Sequence, residues 1–208
     1  MLLKNNLCFW DTETSSIDPK TTQILSIGAV IVDPKKLEII PDSEFYSMVK
    51  PEDVARIEAK ALEINKLELS ILDKQPTIDI VWKNFAKYTE KYRKEKGVWG
   101  GPVSCGYNIS KFDEVIANRM NERFGINNMF HPTHQLDVML DILRWRHQED
   151  IKSISFDNMR KYMGMISAGA HNSLQDSKDA AALGIKFLKL YRSIKIRFQD
   201  AFSNGNDK

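Results

Sequence analysis

Cysteine is scarce in this chain, excess charge is small, and no long apolar run occurs; each shortage removes a class of protein. The two cysteines, Cys8 and Cys105, stand in separate apolar segments. Disulfide-held secreted domains are far richer in cysteine, so both read as reduced core residues of a cytosolic protein. No segment approaches the ~18 consecutive apolar residues of a membrane-spanning helix. The first ten residues, interrupted by Lys4, Asn5 and Asn6, lack the apolar stretch of a secretory leader. A cytoplasmic location with no membrane contact is therefore the expectation. With 30 basic and 28 acidic residues the formal charge is +2, far from that of a histone-like binder. Nucleic acid is permitted as a partner, but any attraction must come from local patches. A glycine-rich loop ending in Lys-Ser or Lys-Thr is missing too, which removes P-loop kinase and NTPase chemistry.

What is present is a globular composition, 42% hydrophobic and 28% charged over 208 residues, enough for one domain with a substantial core. The expected division is a single domain over residues 1–200 and a flexible tail over 201–208. Leu7 to Asp11 reads as a short buried strand, and Gln23 to Asp33, rich in β-branched residues, as a second. Leu37 to Val49 alternates well enough for one or two antiparallel strands, and Pro51 to Leu72 is helical in parts. The spacing of Ile78, Val81, Trp82, Phe85, Tyr88 and Tyr92 predicts a helix from about Thr77 to Lys96, its aromatic stripe in the core. A strand over Val103 to Tyr107 and a helix over Lys111 to Phe124 follow, the helix stopped by Gly125. His134 to Trp145 holds a short strand and part of a helix. Further helices span Phe156 to Met163 and Leu174 to about Phe198. Strands first, then strands alternating with helices, predict an α/β domain with a mixed central sheet flanked by helices.

The chemistry-bearing residues fall at three element boundaries. Asp11 and Glu13 flank Thr12, and alternation along a strand puts the two carboxylates on one face. They repel unless a cation lies between them; a solvated strand end is the plain alternative. Asp113 follows Asn108 and Phe112, and Ser110-x-x-Asp113 also matches a helix-capping box. Ser173-x-x-Asp176 matches a second such box, with His171 ahead of it in a loop of small residues, Ser167 to Ala170. A strand end or a helix cap explains each piece alone, but not all three in this order. Four carboxylates with one histidine are what a two-metal phosphodiester hydrolase needs: hard cations take oxygen ligands, two of them can stabilise attacking and leaving oxygens, and a neutral imidazole can accept a proton from water.

The order and spacing resemble the DEDDh, or DnaQ-like, exonucleases. The first motif is Asp11-Thr12-Glu13-Thr14, followed by the strand Ile24 to Val30; the second is Asn108 with Phe112-Asp113; the third is His171 with Asp176 five residues on. Ile64-Asn65 resembles a further landmark. The likeness covers about residues 7 to 190. Asn172 stands where the sister subtype has tyrosine, so the histidine subtype matches better. The chain departs from the family at Ser15-Ser16, where Thr-Gly is frequent, and at Ser173 and Gln175, where Ala and Asp are.

The resemblance implies a ribonuclease-H-like fold and 3′→5′ removal of nucleotides from a strand end, with DNA favoured and RNA second, releasing nucleoside 5′-monophosphates. It implies two Mg²⁺ or Mn²⁺ ions held by Asp11, Glu13, Asp113 and Asp176, with Asp11 bridging, and His171 as the base. Thr12, Thr14, Ile17 and Asn108 would position the terminal nucleotide. Partners would be single-stranded nucleic acid or 3′ ends; a homodimer or association with a polymerase stays open. The alternative is a nucleic-acid-binding module that keeps the fold without turnover. Cys105 with His131 and His134 makes a poor zinc site. Lys186, Lys189, Arg192, Lys195 and Arg197 form either a phosphate-facing or a solvated helical stripe.

Overall fold

Strand β1 (Leu7–Thr14) carries fully buried residues on both faces, which requires a layer on each side of it. The computed structural model describes residues 4–145, 153–165 and 171–203. β2 (Ile24–Asp33) runs antiparallel to β1, pairing Leu7 with Val32 through Glu13 with Ser26, and the register slips between Glu13 and Thr14. β3 (Glu38–Ile39) and β4 (Phe45–Met48) pair successive stretches of β2's outer edge. On the other side of β1 lie β5 (Val103–Gly106) and β6 (Gln135–Asp137), both parallel. The six-stranded mixed sheet, flanked by helices, has the ribonuclease-H-like architecture expected from the sequence.

The helices are α1 (Ala59–Asn65), α2 (Leu69–Leu72), α3 (Ile78–Lys91), α4 (Asp113–Phe124), α5 (Val138–Trp145), α6 (Phe156–Tyr162) and α7 (Ser173–Ser203). Alternation along β1 splits the core in two. Cys8 and Trp10 pack with Trp82 and Phe85 of α3 and with Ile116 and Met120 of α4. Leu7 and Phe9 pack with Val138 and Ile142 of α5, Met159 of α6 and Ala180, Leu183 and Phe187 of α7. The aromatic stripe of α3 is core, as its periodicity predicts. Trp10 stacks on Phe130 and donates from Nε1 to Ser104 Oγ at 2.8 Å; truncating so buried an aromatic costs about 3–5 kcal/mol. α7 is helical through Ser203, and residues 204–208 of the expected tail lie outside the described residues.

Both capping boxes are overturned. α4 starts at Asp113 itself after Phe112, without a side-chain cap. Ser110 turns the other way, donating from N (3.2 Å) and from Oγ to Asp137 Oδ2. At α7 the cap is Asn172, whose Oδ1 accepts from the backbone N of Leu174 and Gln175 at 3.1 and 3.2 Å. Ser173 Oγ instead meets Ser26 Oγ at 2.9 Å. A local Ser-x-x-Asp pattern loses to partners supplied by other strands.

Among the described residues no helix is long and apolar enough to cross a membrane.

Candidate active site

Asp11 and Glu13 project from β1 towards the α7 side of the sheet, and α7 presents Asp176 in its first turn. Ligand oxygens of the three lie within 4.8 Å of one another, the one such acidic group among the described residues. Two tertiary contacts set this convergence. Ser26, the register partner of Glu13, meets Ser173 at the start of α7. Ser177 Oγ donates to Gly28 O at 2.9 Å. Gly28, opposite Asp11 in the register, lets the helix come that close: a Cβ there would lie 2.1 Å from the backbone N of Leu174.

Asp113 stands beside the trio rather than within it. Its Oδ1 accepts from Thr12 N at 3.1 Å and from Thr12 Oγ1 at 2.6 Å, so the threonine between the paired carboxylates ties down the fourth. The electrostatics fit one cluster. Burial and then the charges of Asp113, Glu13 and Asp176 raise the Asp11 carboxyl well above its ordinary range. Burial, then Asp176 and Asp113, push Glu13 up to about 8. Burial lifts Asp113 to about 7 against its hydrogen bonds from Thr12, and lifts Asp176 to about 6 against the pull of Arg160 and His171. Such crowded, desolvated carboxylates favour a bound cation.

His171 has a left-handed backbone, φ 69°. Its Nε2 lies 3.8 Å from Asp157 Oδ2 on α6, and its charge bears on Asp176. The small-residue loop ahead of it, 166–170, lies outside the described residues. Thr14 O accepts from Asn65 Nδ2 at 3.1 Å, so the Ile64-Asn65 landmark props the strand end, while Thr14 Oγ1 donates to Ser16 O. Neither Ser15 nor Ser16 has a positive φ; Ser16 N donates to Thr22 Oγ1 at 2.9 Å and the loop closes without glycine. Ile17, 87% exposed, projects from that loop into solvent. Asn108, with φ 57°, donates its backbone N to Asp137 Oδ1 at 2.9 Å. His131 and His134 stack on each other at 4.1 Å and belong to no metal-holding group among the described residues. Arg192 is spent on the carbonyls of Pro34 and Lys35.

Sequence reasoning missed Arg160 and Tyr46. Arg160, 2% exposed, donates to Asp176 Oδ1 at 2.6 Å, Asp179 Oδ2 at 2.7 Å and Asp157 Oδ1 at 3.0 Å, and its guanidinium lies 3.7 Å over the Phe156 ring. Its sequence signal, an i,i+3 acid–base pair with Asp157, is indistinguishable from an ordinary surface pair. Tyr46 sits opposite Gly28 on β4, and burial followed by the Glu13 charge raises its hydroxyl pKa.

Residues 8–183 match the family model RNase_T, described as Exonuclease. The chain belongs to this exonuclease family, in line with the DEDDh motifs. It is 28% identical to protein NEN4 of Arabidopsis thaliana over 123 residues, 58% of this chain and 42% of that protein. It is 35% identical to oligoribonuclease of Neisseria meningitidis serogroup B over 51 residues, 24% of this chain and 27% of that enzyme. The chain thus spans less than half the length of these curated relatives. In fold it is similar to E. coli exonuclease I in complex with a dT13 oligonucleotide, with TM-score 0.72 and 16% identity, over 98% of this chain and 44% of that one. It is similar also to cell-death related nuclease 4, with TM-score 0.68 and 15% identity over 89% and 64% of the two chains. A 3′-exonuclease that recognises the histone mRNA stem-loop gives TM-score 0.63 at 16% identity, covering 88% of this chain and 63% of that one.

Proposed function

We propose that this chain is a metal-dependent 3′→5′ exonuclease that takes single strands or free 3′ ends, DNA first and RNA second, and releases nucleoside 5′-monophosphates. The observation that carries the reading is the meeting of Asp11, Glu13 and Asp176 within 4.8 Å, with Asp113 tied beside them. Asp11, Glu13 and Asp176 would hold one Mg²⁺ or Mn²⁺; Asp11 shared with Asp113 would hold the second. Bound there, divalent cations supply positive charge to the scissile phosphate and lower the pKa of a water molecule. His171 accepts the proton from the attacking water. The water oxygen joins phosphorus and the bond to the 3′ oxygen breaks. Asn108 and Ile17, on loops, receive the terminal nucleotide together with the backbone groups of Thr12 and Thr14, and Thr12 also holds Asp113. DNA is placed first because exonuclease I, the neighbour aligned with 98% of this chain, was solved with dT13; the oligoribonuclease and histone mRNA relatives put RNA second.

One observation favours a module without turnover on the same fold: Arg160 already holds one carboxylate oxygen of Asp176, Oδ1, at 2.6 Å. A single digestion separates the readings. Labelled single-stranded DNA, duplex DNA and short RNA are incubated with Mg²⁺, with EDTA and a blocked 3′ end as controls. Stepwise mononucleotide release that needs both the metal and a free 3′ end is the expected result. Intact oligomers under every condition would leave the inert module standing.

A further inference from the structure

On the α4 side of the sheet, away from the acidic trio, lies a cavity of about 180 Å³ that the nuclease chemistry leaves unused. Its charged lining is Lys50, Arg56, Arg119 and Arg123 against one carboxylate, Glu52. Arg123 pairs with Glu52 at 2.7 and 2.5 Å, and Lys50 reaches out to Asp73 at 2.8 Å. The other two cations have no such partner among the described contacts. Arg56 donates to Thr21 O at 3.1 Å; Arg119 donates to Lys20 O at 2.6 Å and to Thr22 O. Carbonyl oxygens satisfy N–H groups but cancel no charge. Arg119 Nε is buried without a partner. The charges of Arg123 and Arg56 bear on Arg119, opposed by those of Asp18 and Glu52.

We propose that this cavity binds a phosphate oxyanion, namely an upstream phosphate of the strand whose end lies at Asp11 and Glu13; the identity of that strand rests on the nuclease reading. Guanidinium forks suit phosphate geometry. The space takes a phosphate together with residual hydration. The cavity and the acidic pair are carried by one β-ribbon. Ile24 lines the cavity and pairs with Thr14, the neighbour of Glu13. One cross-strand step and one step along β1 join the cavity wall to Glu13. Thr22, on the wall, bonds Ser15 and Ser16 at the end of the same ribbon. A filled cavity therefore grips the strand behind the reacting end.

The test is binding of a labelled twelve-residue oligothymidylate in EDTA, where no turnover is needed, over a range of salt. R56Q and R123Q each raise Kd by ~3–10-fold at low salt and flatten the log Kd–log salt slope by ~0.7, the share of one phosphate on a single strand. E52Q, which removes the one carboxylate of the lining, lowers Kd. Opposite signs from neighbouring substitutions exclude misfolding as the cause. Inorganic phosphate and thymidine monophosphate are titrated in parallel. Saturable phosphate binding that R56Q abolishes, with the oligomer slope unmoved, keeps the oxyanion site but overturns the strand as its source. Wild-type Kd and slope in all three variants, with no phosphate binding, overturns the site. Shifted Kd values without mononucleotide release in Mg²⁺ would refute the nuclease reading alone.

Discussion

Arg160 Nη2 donates to Asp176 Oδ1 across 2.6 Å, a charged hydrogen bond with the arginine side chain 2% and the carboxylate 11% exposed. The same guanidinium holds Asp179 one turn further along α7, so α6 fixes the orientation of α7 through a single buried cation. Its removal leaves two carboxylates facing each other without compensation.

Replacing Arg160 by Met is therefore expected to destabilise the fold by about 3–5 kcal/mol, the usual cost of breaking a buried pair from one side. Arg160→Lys keeps the charge but loses the fork that serves both aspartates, and falls between. Denaturant midpoints measure this; an unchanged midpoint for Arg160→Met would show that the network contributes nothing.

Asp11→Ala and Asp176→Ala are expected to abolish nucleotide release while some binding of a strand end remains, since each removes an oxygen shared by the trio. His171→Ala should slow release by ~10²–10⁴, the range of a general base. Single-turnover rates with saturating Mg²⁺ decide it. Full activity of His171→Ala at neutral pH would remove the histidine from the reaction.

The raised carboxyls predict how metal-free stability varies with pH. Glu13 at about 8, Asp113 at about 7 and Asp176 at about 6 all hold protons to higher pH than they would in an unfolded chain. The folded state then binds more protons, so stability falls as pH rises from about 4 to 8. In EDTA the melting temperature should be higher at pH 5 than at pH 8, and Mg²⁺ should restore more of it at pH 8, where fewer protons need be displaced. A melting temperature that rises with pH in EDTA would contradict the cluster.

Gly28→Ala puts a methyl group 2.1 Å from Leu174 N and 2.2 Å from Ser173 C, both backbone atoms. Neither can turn aside as a side chain would, so α7 must lift from β2 and carry Asp176 with it. A loss of ~1–3 kcal/mol or more in stability, together with weakened Mg²⁺ binding by calorimetry, is expected. Wild-type metal affinity in this variant would mean that the helix start does not set the site.

The fold was legible where the pattern is periodic. β1, β2, β5 and the aromatic stripe of α3 follow from β-branched runs and helical spacing, because both faces of those strands and one face of that helix must leave water. Boundaries were less so. Helices expected from Thr77 and Lys111 begin at Ile78 and Asp113, and the first of them stops at Lys91. Ser110 and Ser173 read as caps because a serine three residues ahead of an aspartate satisfies helix N–H groups locally. Asp137 and Ser26, distant in sequence, offer those hydroxyls better partners.

By itself the sequence determined the ingredients: which residues avoid water, the parity that sets Asp11 and Glu13 on one side of a strand, and the motif order that places the chain among exonucleases. Tertiary structure alone decided that Asp176 joins that pair while Asp113 leans on Thr12, that Arg160 is buried against α7, and that Arg56, Arg119 and Arg123 face one cavity. The physical reason is range. Burial and alternation act over a few residues and leave a mark in the sequence, whereas charge neutralisation and close backbone approach join segments well over a hundred positions apart and exist only once the sheet has closed.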